Sequence, residues 1–232
     1  MLKLGLSLSL SSLRGLGAWK PTDEGTIVGW WKHAELVTDS GSPNFSVSQW
    51  NDQSTNNNHL VQATVTEQPT NGTGADKGDI TFDPTKTQNM DMSSQISLSG
   101  DFTIGVALNL ASGGCVLLGD NTSNGEFFRF FSTSVIRIRI DNTTAVDITK
   151  DSGTFLGKAY MVLTRISNVI TLHWNGVAQA DTETLSGTAD IDNLGVRKTD
   201  TNPYDGIISE VMIFSGANAT LTANVNDRLS SI

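Results

Sequence analysis

The chain has 232 residues, of which 38% are hydrophobic and 17% are charged, with 22 glycines. This length is enough to bury one sizeable core, and a single domain is therefore expected. The net charge of −9 argues against binding to nucleic-acid phosphates, and no apolar stretch approaches the roughly 18 to 20 residues of a membrane span, so neither nucleic acid nor a membrane is an expected partner.

The N-terminal segment alternates between leucine and other residues. The leucines are Leu2, Leu4, Leu6, Leu8 and Leu10. A period of two predicts a strand with all five on one face, whereas the core of a secretory signal, which is the alternative, is apolar all round. Such a face would be an aggregation liability if exposed. We therefore predict that residues 1–22 form an arm used in assembly, with the leucines covered by a neighbouring subunit or by the sheet of the domain itself.

Short strands are predicted in the next part of the chain. Thr26 to Trp31 has a β pattern, and because neighbouring strand residues face opposite sides, one of Trp30 and Trp31 should enter the core while the other meets a second layer, a partner or solvent. Residues 38–87 are rich in Ser, Asn, Asp, Gly and Thr, which predicts loops around the strands Leu60 to Thr66 and Asp79 to Phe82.

Regular alternation begins near residue 100. Phe102 to Leu110 is predicted to be a long strand with one face on the core. A meander of three antiparallel strands follows, consisting of Glu126 to Phe131, Val135 to Ile140 and Ala145 to Ile148. In its middle strand, the isoleucines share one face and Arg137 and Arg139 take the other.

Tight turns mark the last third of the chain. Ser167-Asn168 joins the predicted strands Met161–Ile166 and Val169–Trp174, and Asn175-Gly176 is the preferred pair for a type I′ hairpin turn. Ile207 to Phe214 is a further predicted strand. Leu221, Val225 and Leu229 then recur every four residues behind Thr220, which predicts a short helix with a threonine cap.

Taken in order, these landmarks resemble the concanavalin A-like lectin/glucanase superfamily, in particular laminin-G-like domains of phage and bacterial proteins. Five segments carry the resemblance: Val28 to Trp31, Trp50 to Ser54 with Gln68-Pro69-Thr70, Phe102 to Ile104, Val169 to Val177, and Asp205 to Phe214. The resemblance implies an all-β, antiparallel two-sheet jelly-roll sandwich, here followed by one short C-terminal helix. We assign it to residues 23–232.

The sequence offers little support for catalysis. A glucanase of this superfamily should carry Glu-x-Asp-x-Glu on one strand, and the nearest pair, Asp181 and Glu183, lies in a stretch that predicts a solvated loop. Neither zinc-ligand spacing around the histidines nor a Gly-x-Ser-x-Gly elbow is present. Cys115, the only cysteine, lies in an apolar run and is expected to be buried. The chain is therefore expected not to be an enzyme.

Two kinds of binding residue are candidates. Related lectin-like domains often bind calcium through loop carboxylates and amides, and Asp120, Asn121 and Asn124 form the best local cluster for this cofactor. For glycan binding, Trp31, Trp50 and His59 are the candidate stacking and hydrogen-bonding residues.

The leucine-rich opening followed directly by a jelly roll resembles structural proteins of tailed phages. The first functional hypothesis is therefore a virion protein, either a capsid decoration or a tail or fibre component. It would form a homo-oligomer or dock on the major capsid protein or on tail proteins. The alternative is a carbohydrate-binding lectin module that recognises a host or another glycan, on a secreted or cell-surface protein. A glycosidase would need two carboxylates roughly 5 to 10 Å apart in a groove.

Overall fold

A computed structural model describes residues 18–32, 35, 37–73, 77–121, 125–141, 144–197 and 200–232. It confirms the predicted two-sheet sandwich with a short C-terminal helix. The predicted strand of Leu2 to Leu10 lies outside the described residues. The elements are β1 (Ile27–Trp31), β2 (Val37–Asp39), β3 (Val47–Trp50), β4 (Leu60–Val61), β5 (Thr70–Asn71), β6 (Ile80–Phe82), β7 (Met90–Leu98), β8 (Phe102–Leu110), β9 (Cys115–Gly119), β10 (Phe127–Phe130), β11 (Val135–Arg139), β12 (Val146–Thr149), β13 (Gly157–Ile166), β14 (Val169–Trp174), β15 (Val177–Thr184), β16 (Ala189–Leu194), β17 (Gly206–Phe214) and α1 (Ala219–Leu229).

The strands form two sheets, and the pairings between described strands are antiparallel. Sheet A has the order β15-β14-β13-β8-β17-β6-β5, with β1 also paired to β17. Sheet B has the order β12-β11-β10-β9-β16-β7-β4-β3-β2. The predicted meander is confirmed as β10-β11-β12, at one edge of sheet B.

The main core lies between the two sheets. Alternate residues of each strand enter it, so that Phe128 and Phe130 of sheet B meet apolar side chains of sheet A. Phe130, Phe155 and Trp174 pack edge to face, with the ring centroids of Phe155 and Trp174 4.7 Å apart. Burying a side chain of this kind contributes about 1.5–3 kcal/mol, which makes the core the main source of stability.

A second apolar cluster lies on the outer face of sheet A, beneath α1. It contains Trp30, whereas Trp31 belongs to the main core, as the prediction that they face opposite sides requires. The predicted face pattern of β8 was wrong in one respect: both of its faces are buried, because α1 covers the outer one. Gly105 permits this close packing, since a Cβ at that position would lie 2.4 Å from Cγ1 of Val225.

One buried carboxylate ties the helix to the sheet. Glu210 is 1% exposed and accepts hydrogen bonds from Trp30 Nε1 at 2.8 Å and from Arg228 Nη2 at 3.1 Å. The Arg228 guanidinium also lies 4.9 Å from the centroid of the Trp30 ring. Because the charge is both paired and hydrogen-bonded, its burial is tolerated.

Three local predictions differ from the structure. The strand predicted over residues 60–66 ends at Val61, because the Gln62 side chain accepts a hydrogen bond from the Thr64 backbone N–H and so competes with the ladder. The helix cap is Asn218, which accepts from the Leu221 N–H at 2.9 Å, and not Thr220. Asp181 and Glu183 lie on the edge strand β15 and not in a loop.

Other local predictions are confirmed. The hairpin of β13 and β14 has the expected register, with Ile166 opposite Val169. Asn175 and Gly176 have φ values of 49° and 78°, as a type I′ turn requires. Cys115 is buried, and burial raises the pKa of its thiol to about 11. Within the described residues, α1 is too short and too polar to cross a membrane.

Candidate functional site

The β10–β11 hairpin places cationic and aromatic side chains on the outer face of sheet B. Phe128, Phe130, Ile136 and Ile138 point into the core, so the residues between them point away from it. In the register of the two strands, Arg129 lies directly opposite Arg137, and Phe127 lies opposite Arg139. The alternation of both strands therefore presents three arginines on one surface.

A fourth arginine reaches this surface from another part of the chain. After β16, the Gly195 N–H donates to the Leu117 carbonyl at 2.9 Å, which ties the following segment to β9. The segment crosses β9 at Gly119, where a Cβ would lie 2.3 Å from the Val196 carbonyl oxygen. The crossing brings the Arg197 guanidinium to 4.9 Å from the centroid of the Phe127 ring. Gly119 is therefore needed to position Arg197.

The four arginines line a groove of about 630 Å³, together with Phe127, Thr144 and Ala145. This volume falls in the range of roughly 300–1,000 Å³ that ligand sites occupy. The groove holds four of the seven arginines of a chain whose net charge is −9. The arginines themselves are half-buried, so they are accessible but partly removed from water. We call this site the arginine groove.

Contacts within the protein fix two of these guanidinium groups. Arg137 donates from Nε and Nη2 to the two carboxylate oxygens of Asp147, at 2.6 and 2.7 Å. Its guanidinium carbon lies 3.5 Å from the centroid of the Phe131 ring, which is 40% exposed. Arg129 donates from Nη2 to the Gly114 carbonyl at 3.0 Å and lies 5.3 Å from the same ring. Stacking and forked hydrogen bonds hold the guanidinium planes in place.

The arrangement is electrostatically unfavourable in the absence of a ligand. Burial, followed by the charges of Arg197 and Arg137, lowers the pKa of Arg129. Burial, followed by Arg139, lowers the pKa of Arg197. The hydrogen bond to Asp147 raises the pKa of Arg137. Like charges directly opposite in a sheet are destabilising, on a scale of roughly 0.2–1 kcal/mol per pair.

Hydrogen bonding within the protein is also incomplete. Nε of Arg129 and Nε of Arg197 are buried without an acceptor in the described part of the chain. A guanidinium carries five N–H donors, so the groove holds more donors than these protein contacts use. Such an array can bind a group that supplies negative charge and several acceptor oxygens.

Sequence reasoning found this site only in part. The alternation that places Arg137 and Arg139 opposite the isoleucines was recognised, but no binding role was assigned to it. Arg129 follows the same alternation in the neighbouring strand, and this signal was missed. The position of Arg197 depends on the crossing at Gly119, which no local pattern indicates.

The predicted glycan-binding aromatics are not part of this groove. Trp31 and Trp50 are completely buried, and their Nε1 atoms donate to the backbone carbonyls of Asn58 and Lys32. Stacking on a sugar needs an accessible ring face, so the structure corrects both assignments: these residues fill the core. His59 is half-buried and its Nδ1 accepts from the Asp52 N–H at 3.2 Å. It precedes β4, four strands away from β10 in sheet B.

Two of the three predicted calcium ligands, Asp120 and Asn121, lie within the described residues. Asp120 is buried, Asn121 donates from its backbone N–H to Asp192 Oδ1 at 2.6 Å, and Asn124 lies outside the described residues. Oδ1 of Asn121 is buried without a hydrogen-bond partner among the described residues. No group of three or more histidine, cysteine or acidic side chains suited to a metal occurs in the described ranges. Calcium binding therefore stays a prediction.

Comparison with known proteins relates the fold to carbohydrate-active proteins. No protein-family model and no curated protein matches the sequence. Among solved structures, the chain is similar to domain 4 of AbnA, a GH43 extracellular arabinanase from Geobacillus stearothermophilus, in complex with arabinotriose. The TM-score is 0.54 and the identity 12%, and the match covers 88% of this chain and 98% of that domain.

Two further similar structures belong to longer chains. Trypanosoma rangeli sialidase matches with a TM-score of 0.53 and 12% identity over 90% of this chain. A GH54 α-L-arabinofuranosidase matches with a TM-score of 0.57 and 12% identity over 91% of this chain. This chain spans 33% of the sialidase and 60% of the arabinofuranosidase. At these identities, the likeness establishes a shared fold.

These comparisons contradict the prediction that the chain is not an enzyme, because all three similar structures come from glycoside hydrolases. The prediction depended on the absence of known catalytic motifs. Because hydrolases also use this fold, the absence of a motif is weak evidence against catalysis. The three structures are not virion proteins, so the predicted virion role gains no support from them and remains a prediction.

Proposed function

We propose that this domain binds carbohydrate and that the arginine groove is its binding site. The observation that carries the proposal is the groove itself: a concave surface of about 630 Å³ with many N–H donors and an exposed aromatic ring at its side. Saccharides present closely spaced oxygen acceptors and apolar ring faces, which guanidinium groups and aromatic rings can bind.

The position of the groove in the fold supports the proposal. Helix α1 covers part of the outer face of sheet A, whereas the groove opens on the outer face of sheet B. Both strands that carry three of its arginines have their other faces in the main core, which makes the floor of the groove rigid. The shared fold with domain 4 of AbnA, solved in complex with arabinotriose, also favours carbohydrate as the ligand class.

Binding to a panel of immobilised neutral and acidic polysaccharides tests the proposal. The test variant is Ala145→Leu, which narrows the groove without changing its charge. The matched control is Ala178→Leu, the same substitution at an exposed position on sheet A. We expect wild type and the control to bind the same polysaccharides, and Ala145→Leu to bind them about tenfold more weakly.

Two results would count against the proposal. If none of the immobilised polysaccharides retains the wild-type protein, the domain does not have the proposed function. Equal binding by Ala145→Leu and Ala178→Leu would show that carbohydrate binds elsewhere on the domain.

A further inference from the structure

We propose that the arginine groove selects saccharides that carry oxyanions, namely carboxylate or sulfate groups, over neutral ones. This inference rests on the proposed carbohydrate-binding function and specifies its ligand class. The chemistry shared by the two groups is a compact negative charge with at least two acceptor oxygens. That geometry matches the fork of N–H donors on an arginine side chain.

The charge balance of the groove carries the first step. Arg129, Arg137, Arg139 and Arg197 line it, and Asp147 is the carboxylate that pairs with Arg137. A neutral ligand would leave the positive charges of Arg129 and Arg197, which repel each other, without an added counter-charge. An oxyanion between them would relieve that repulsion, so it gains an interaction that a hydroxyl group cannot provide.

The way the guanidinium groups are held carries the second step. Arg137 is held between Asp147 and the Phe131 ring, and Arg197 is stacked on Phe127. Stacking occupies the face of a guanidinium and leaves its N–H edge available in the plane. Side chains fixed in this way lose little freedom when an anion binds, which favours a specific site over a diffuse basic surface.

The net charge of the chain indicates how the anionic groups of the ligand are spaced. At −9, the domain repels a dense polyanion at long range, while the groove attracts an anion within a Debye length of about 10 Å. Double-stranded DNA carries one charge per roughly 1.7 Å of axis. A polysaccharide with one carboxylate or sulfate on each sugar, or fewer, has its charges farther apart. We therefore favour an acidic polysaccharide over a nucleic acid.

Matched ligand pairs test the selectivity. Polygalacturonate is compared with its methyl ester, and a dextran sulfate that bears no more than one sulfate per glucose with dextran, so that each pair differs only in the oxyanion. We expect at least about tenfold tighter binding to the anionic member of one pair, and weakening of that binding as salt is added. The pair that shows the difference identifies carboxylate or sulfate as the recognised group.

Charge-neutral variants assign the selectivity to the groove. Arg139→Gln and Arg197→Gln each remove one positive charge, and each is expected to weaken binding to the anionic ligand about tenfold with a small effect on its neutral partner. The matched control is Lys158→Gln, the same change of charge at an exposed position on sheet A, which should bind like wild type. Circular dichroism confirms that each variant is folded. Because the two arginine variants are tested separately, the test still holds if one of them does not fold.

The outcomes separate this inference from the proposed function. Equal binding of both members of each pair, still weakened by Ala145→Leu, would overturn the anionic selectivity and leave carbohydrate binding in place. No binding to any of the four polysaccharides would overturn the anionic selectivity, and no binding to any member of the wider panel would overturn both. Tighter binding to a single-stranded polynucleotide than to either acidic polysaccharide would overturn the inference in favour of a nucleic acid. An equal loss of binding in Lys158→Gln would show a non-specific charge effect and would also overturn it.

Discussion

Substituting Gly119 by alanine tests whether the close crossing at this residue positions Arg197. The new Cβ would lie 2.3 Å from the Val196 carbonyl oxygen and 3.0 Å from Cα of Arg197. Ordinary contact begins at 3.4 Å, so the crossing segment would have to move by about 1 Å. Both contacts are with backbone, which cannot rotate away as a flexible side chain can. The strain therefore falls on the segment that carries Arg197.

Two effects of Gly119→Ala are expected. Overpacking of this kind destabilises a protein by about 1–3 kcal/mol, which urea denaturation measures. Displacing Arg197 removes a charge-assisted hydrogen bond to an anionic ligand, worth about 1.5–3 kcal/mol, so binding should weaken by about tenfold or more. Titration calorimetry with the acidic polysaccharide that wild type binds measures the second effect at a temperature where the variant is fully folded.

The matched control is Gly100→Ala, because a Cβ at that position meets nothing within 4 Å. This variant should keep the stability of wild type to within about 0.5 kcal/mol and bind the ligand normally. If Gly119→Ala behaves like Gly100→Ala in both assays, the close crossing does not position Arg197. Loss of stability with unchanged binding would likewise refute the proposed link between the crossing and the groove.

Three further predictions concern stability. Glu210→Ala leaves Arg228 without its partner and should destabilise the fold by about 3–5 kcal/mol in urea denaturation, whereas Glu210→Gln should lose less stability. A loss below about 1 kcal/mol in Glu210→Ala would contradict the proposed tie between helix and sheet. Tyr204→Phe removes a buried hydroxyl that has no hydrogen-bond partner in the described structure, and the variant should be as stable as wild type or more stable by about 1 kcal/mol. A clear loss of stability in thermal denaturation would contradict this and reveal a hydrogen bond of the hydroxyl. The Arg137 hydrogen bond lowers the pKa of Asp147, so the stability that it contributes is present above the unfolded pKa and is lost as pH falls through the folded pKa. The stability difference between wild type and Asp147→Asn should therefore be constant at neutral pH and shrink as pH falls below about 4, and a difference that stays constant on further acidification would contradict it.

The sequence determined the fold because strand formation follows local patterns. Alternation in Phe102–Leu110, the turn at Asn175-Gly176 and the spacing of Leu221, Val225 and Leu229 each depend on neighbouring residues in the chain. Each of these features was recovered in the structure. The errors fell where a side chain competed with the backbone, as Gln62 does, or where two residues could serve as a cap, as Asn218 and Thr220 can.

Tertiary structure decided which of the conspicuous residues are available for binding. The sequence makes Trp31 and Trp50 candidate glycan contacts, but both are buried in the core. Period-two alternation shows that neighbouring residues face opposite sides of a strand and does not show which side is covered. The same limit applied to β8, whose outer face is hidden by a helix more than a hundred residues farther along the chain.

The arginine groove shows the division most clearly. Alternation in β10 and β11 already places Arg129, Arg137 and Arg139 opposite apolar residues, so the sequence by itself determined that these side chains share one face. Only the tertiary structure placed Arg197 beside them, because that contact depends on a chain crossing over Gly119 between segments nearly eighty residues apart. Local patterns report which way a side chain points, whereas a binding site depends on which distant segments meet.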